Sequence, residues 1–147
     1  MVTMKFENSY IKITYCRPSI NGRKIFGNLV PFDEVWRTGA NEATEITFTS
    51  NVVISDHAVE AGTYSVYTIP DENYWTFILN KDLGMWGSFS YNADHDVLRI
   101  QAKTETMENS YEPFTIEFDQ KGLPSTNILL MWENTKVIIP VKLVINN

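Results

Sequence analysis

Short apolar runs recur along this chain with a period of two, and none recurs with the period of a helix. That pattern is the tightest constraint on the fold. Alternate side chains of a strand point to opposite faces, whereas a helical face repeats every third or fourth residue. In "EATEITF", Ile46 and Phe48 fall on one face, Glu45 and Thr47 on the other. "DVLRIQAKT" sets Leu98, Ile100 and Ala102 against Val97, Arg99, Gln101 and Lys103, and "EPFTIEFD" sets Phe114, Ile116 and Phe118 against Thr115, Glu117 and Asp119. "YWTFILN" is apolar nearly throughout, as in a strand covered on both faces. "YIKITYC", "NVVIS", "GTYSVYTIP" and "NILLMW" add further strands, and Cys16 reads as a small core residue of the first. The last run, "KVIIPVKLVI", aligns Val137, Ile139, Val141, Leu143 and Ile145. Pro140 cannot donate to a ladder, so this strand is expected at an edge or bulged there. Polar connections such as "EAGTY", "PDENY" and "ENTK" carry turn formers. The reading is all-β: one domain over residues 1–147, a single antiparallel β-sandwich of about 8–10 strands. Two long irregular loops, 17–41 and 80–96, interrupt it.

Charge and rare residues narrow the chemistry. Lys and Arg number 12 and Asp and Glu 18, a net charge of −6. That balance argues against nonspecific binding to nucleic acid or anionic lipid. One cysteine allows no intramolecular disulfide and no Cys-x-x-Cys motif. No apolar run approaches the ~20 residues of a membrane helix, and "MVTMKFENSY" lacks the apolar core of a signal peptide. There is no phosphate loop and no Gly-x-Ser-x-Gly elbow. The "DHD" at Asp94–Asp96 alternates faces and the only other histidine is distant, so no metal site and no cofactor are expected.

The densest polar stretch is "WRTGANE", Trp36 to Glu42. It admits two readings. In the first it is a clasp: Gly39 permits a reversal, Arg37 pairs with Glu42 across it, and Thr38 and Asn41 hold backbone groups. In the second it is a site: the planar fork of Arg37 receives a carboxylate or phosphate, with Glu42 as ligand contact or base. "RPSINGRKIFGNLVPF" before it reads as a loop anchored by Ile25, Phe26, Leu29, Val30 and Phe32. Trp75 and Trp132 lie in strand runs and are expected in the core. Trp86, in "LGMWGSFSYN" beside Phe89 and Tyr91, is either a lid on the core or part of a sugar-stacking platform.

The blocks "RPSINGRKIFGNLVPFDEVWRTGANEATEITF", "AGTYSVYTIP", "WTFILNK", "WG" and "DVLRI" resemble the bacterial domain-of-unknown-function 2911 family from about Tyr10 to Val141. Phe32-Asp33 and Pro70-Asp71 stand where that family commonly has Tyr-Gly and Pro-Gly. The resemblance implies a secreted or periplasmic β-sandwich and names no reaction. It marks Trp36, Arg37, Thr38, Asn41, Glu42, Asn80, Trp86 and Arg99 as candidate ligand-binding positions, with Arg17, Arg23 and Gly39 as structural ones. The expected role is a noncatalytic binding or accessory module for a glycan or small polar ligand, with no nucleic-acid partner and no membrane insertion. One alternative is a hydrolase or isomerase with Glu42 as general base beside Arg37 and Asn41. Another is a structural or assembly domain that pairs through an exposed edge strand.

Overall fold

The computed structural model describes residues 1–119 and 122–144. Nine strands follow in chain order: β1 (Val2–Phe6), β2 (Ser9–Thr14), β3 (Thr44–Phe48), β4 (Val52–Ile54), β5 (His57–Val59), β6 (Gly62–Ile69), β7 (Tyr74–Asn80), β8 (Asp96–Asp119) and β9 (Ser125–Leu143). A single 3₁₀ turn, Ala93–His95, is the only helical element among the described residues. The strands are hydrogen-bonded, all antiparallel, in the order β1-β2-β3-β6-β7-β8-β9-β4-β5.

The all-β antiparallel class is as expected. Hydrogen bonding runs in one open order through all nine strands. The cause is the length of β8, which pairs with β7 from Asp96 to Lys103 and with β9 from Thr104 onward. One apolar cluster nevertheless joins Met4, Ile11 and Phe48 from one end of the order to Val52, Ile54 and Leu143 from the other. The Tyr15 hydroxyl likewise accepts from Ile116 N at 3.0 Å, linking the segment after β2 to β8.

Several local expectations are corrected. "DVLRIQAKT" and "EPFTIEFD" are the two ends of β8, not two strands, and "NILLMW" and the run Lys136–Leu143 are both in β9. The turn formers between them make register shifts instead of turns, between Thr106 and Tyr111 and between Tyr111 and Thr115. Glu133, in "ENTK", takes φ 51° and keeps β9 running. β1 and β5 were not legible as strands, and Cys16 lies beyond the end of β2, half-buried. Leu29 and Phe32 are exposed, so Ile25, Phe26 and Val30 alone of the five proposed anchors are buried.

The C-terminal alternation holds: Val137, Ile139, Val141 and Leu143 are all buried, while Ile145 lies outside the described residues. Pro140 sits where β9 passes from one partner to the other. Its ladder with β8 ends at Val137 and its ladder with β4 begins at Val141. The missing N–H therefore costs no sheet hydrogen bond.

Candidate functional site

The loop from Arg17 to Asn41 is tied to the sheet by specific bonds. Arg17 donates to the Phe114 carbonyl at 3.2 Å and to Thr115 Oγ1 at 3.0 Å. Arg23 closes its own turn, donating to the carbonyls of Ile20 at 2.9 Å and Ser19 at 2.7 Å. The Glu133 carboxylate reaches in from β9 and accepts from Ile25 N at 2.8 Å and Phe26 N at 3.3 Å. Sequence reading passed over Glu133. It stands in "ENTK", which reads as a polar turn. The loop then adds Phe26 and Trp36 to Trp75, Phe114 and Trp132 in an aromatic cluster with centroid separations of 5.0–6.1 Å. Trp36 is thus a core residue that shows only its rim.

The segment after Trp36 is over-determined. Its backbone exchanges two hydrogen bonds with Thr68, at 2.7 and 3.0 Å, and its Nε1 donates to the Gly39 carbonyl at 3.2 Å. Thr38 is fully buried with φ 60°. That is an outlier for a β-branched residue, which seldom enters the left-handed region. Its hydroxyl donates to the Trp36 carbonyl at 3.2 Å and lies 3.1 Å from Thr68 Oγ1, while its carbonyl accepts from Thr44 Oγ1 at 2.6 Å. Asn41 is also left-handed, φ 61°. Gly39 serves close approach rather than the reversal itself: a Cβ there would sit 3.1 Å from the Cys16 carbonyl oxygen and 3.2 Å from Thr44 Oγ1. Strain held in place by surrounding bonds clusters at functional sites.

The consequence is where Arg37 points. The expected Arg37–Glu42 pair does not form: the described residues show two ion pairs, and neither includes them. Arg37 lines a cleft of about 340 Å³ with Pro18, Arg23, Glu34, Trp36 and Ser88. Glu42 is exposed and lines a separate hollow of about 110 Å³ with Tyr15, Cys16 and Glu45. The two positive φ values on either side of Gly39 turn the chain so that the charges diverge. Arg37 Nε is buried without a hydrogen-bond partner. A buried donor left unmade costs about 1–3 kcal/mol, and more when charged. The ionisable lining of the cleft is two arginines and one glutamate, a local cationic excess in a protein of net charge −6.

Asn80 and Arg99 belong to a different construction, the base of the loop from residue 81 to 95. Asn80 is buried and donates to the Asn92 carbonyl and to Asp96 Oδ1, each at 2.9 Å, while its own carbonyl oxygen accepts from Asp82 N at 2.9 Å. Tyr91 donates to Asp96 Oδ2 at 2.5 Å and accepts from Arg99 Nη2 at 3.1 Å. His95 Nδ1 meets the Asp82 carboxylate at 2.8 Å. The three residues of "DHD" therefore go separate ways. Among the described residues no group of three or more His, Cys, Asp or Glu converges as metal ligands. Beneath the loop, Tyr67 packs against Tyr91 with centroids 4.8 Å apart, its buried hydroxyl unpartnered.

The flank of that loop is stitched to the "WRTGANE" segment. Ala43 N donates to the Met85 carbonyl at 2.9 Å, Gly87 N to the Asn41 carbonyl at 3.0 Å, and Gly84 N to the Glu45 carboxylate at 2.8 Å. Trp86 is 58% exposed, so it is not a lid on the core. Of the candidate positions, the structure brings Trp36, Arg37 and Arg23 to one cleft, while Asn41, Glu42 and Trp86 lie outside its lining, Glu42 bridged to Trp86 through the backbone. Gly39 also lines the cleft, Thr38 is buried, and Arg17, Asn80 and Arg99 act as struts.

A family model described as "Protein of unknown function (DUF2911)" matches residues 1–141. No curated protein and no solved structure matches the chain. No helix among the described residues is long and apolar enough to cross a membrane.

Proposed function

The chain belongs to the DUF2911 family, and from that premise we propose a noncatalytic extracytoplasmic binding module that seats the anionic group of a small polar ligand on Arg37. The observation that carries this is Arg37 itself: it lines the cleft, enters no ion pair among the described residues, leaves its Nε unpartnered, and adjoins a strained, bonded turn at the cleft wall. An unmet donor is a standing cost unless something answers it, and a carboxylate or phosphate fits a guanidinium fork in two parallel bonds. The size suits one ring: about 340 Å³ lies at the small end of ligand sites. A sugar acid has both the charge and the dimensions. The general-base alternative requires Glu42 beside Arg37, and the two line different cavities.

Thermal melting of wild type and Arg37→Met with sugar acids, neutral sugars and inorganic phosphate tests the proposal. Glucuronate or N-acetylneuraminate should raise the wild-type melting temperature by several degrees at saturating concentration, because ligand at 100 times Kd contributes about 2.7 kcal/mol. Arg37→Met should lose that response and yet, without ligand, melt no lower than wild type, since it removes an unpartnered donor. A wild type that ignores every anion, or a variant that responds as wild type does, sinks the reading.

A further inference from the structure

We propose that the ligand extends beyond the cleft, as an oligosaccharide whose acidic unit sits on Arg37 and whose next, uncharged units stack on Trp86 and Phe89. This rests on the anion site proposed for Arg37. The loop carrying both rings also supplies Ser88 to the lining of that cleft, so the two aromatic residues flank the one loop residue that touches the proposed site.

The rings are exposed on a loop that is otherwise fixed. Trp86 is 58% exposed and Phe89 81%. Bonds to Asn41, Ala43 and Glu45 hold one side of the loop, and the Asn80, Tyr91 and Asp96 bonds hold its base. Phe89 lies over Gly87, where a Cβ would come within 3.2 Å of the ring carbons, and Gly87 itself has φ +67°. One side of the Phe89 ring thus rests on loop backbone, and most of the ring meets solvent. Two large rings on a fixed loop make a preorganised apolar platform, and preorganisation removes the ordering cost that a mobile loop would charge against binding.

Charge decides what lies on that platform. Exposed Glu42 pairs its backbone with Trp86. A second acidic unit there would meet like charge, whereas uncharged sugars, with an apolar face for each ring, would not. The polymer is therefore acidic at one unit and neutral along the rest.

The test compares N-acetylneuraminate, lactose and sialyllactose by titration calorimetry against wild type, Arg37→Met, and the Trp86→Ala/Phe89→Ala double variant. Both rings are exposed, so their removal should leave folding intact, which melting without ligand verifies. Sialyllactose should bind wild type about tenfold more tightly than free N-acetylneuraminate, within reach of two stacking contacts. The double variant should bring sialyllactose down to the level of the free acid and leave the free acid unchanged. Arg37→Met should abolish both. Equal affinities for the two ligands in wild type would overturn the extended site and spare the cleft. So would a double variant that binds sialyllactose as wild type does. Failure of the free acid to bind wild type would overturn the Arg37 reading, and this one with it. An acidic peptide such as hexaglutamate binding more tightly than sialyllactose would overturn the carbohydrate assignment.

Discussion

Tyr91 holds its hydroxyl between an acid and a cation, and its acidity reports on the loop it anchors. Burial is the largest influence and raises its pKa. The bond to Asp96 raises it further, and Arg99 works in the opposite direction, leaving it pushed up to about 12. An unfolded tyrosine ionises near pH 10. The folded value lies above the unfolded one, so the stability contributed by the neutral hydroxyl is complete below about pH 10 and is lost as pH rises through about 12. Denaturant melts across that window should show wild type losing more stability than Tyr91→Phe, and phenolate absorbance should lose one late-titrating group in the variant. Parallel losses in the two proteins would mean that Tyr91 titrates freely. At this scale the sequence pointed to the right stretch and the wrong contacts. "WRTGANE" is the wall of the cleft, yet neighbours that look like partners, Arg37 and Glu42, open into different cavities. The reason is the left-handed backbone at Thr38, which no propensity of threonine announces and which the bonds to Trp36, Thr68 and Thr44 hold in place.

At the scale of the element, β9 shows what alternation can and cannot convey. Val137, Ile139, Val141 and Leu143 could be assigned to the buried face from spacing alone, because one face of a half-buried strand repeats every second residue. Leu143 is 2% exposed and pairs with Val52 across the β4 ladder. Leu143→Ala should cost about 2–5 kcal/mol in denaturant melts, the range for a fully buried leucine. A loss under about 1 kcal/mol would place that end of the strand at the periphery. Continuity was not legible. Asn, Glu and Thr in "ENTK" serve a bulge as readily as a turn, and only the partner strand decides which.

On the scale of the whole molecule, the all-β class was readable because period-two patterning is local. The strand order was not, because pairs such as Val52 with Leu143 or Ile11 with Phe48 depend on partners remote in sequence. The core ignores the two ladders of β8: Trp36, Trp75 and Trp132 pack into one cluster with Met4 and Val141. Urea unfolding followed by tryptophan fluorescence and by far-UV circular dichroism should therefore give one coincident transition, the signature of a single cooperative domain. Two resolved transitions would mean that the β1-to-β7 and β9-to-β5 parts fold separately.

The pairing of β4 with the end of β9 also sets a timetable for biosynthesis. The ribosome delivers Val52 and Ile54 early and their ladder partners, Leu143 and Val141, late. During all the synthesis in between, the β4–β5 hairpin has no neighbour on its inner edge, and a lone hairpin is at best marginally stable in water. A nascent chain would thus expose a sticky apolar strand to chaperones and to other nascent chains until its last strand emerges, the interval in which incomplete β proteins aggregate.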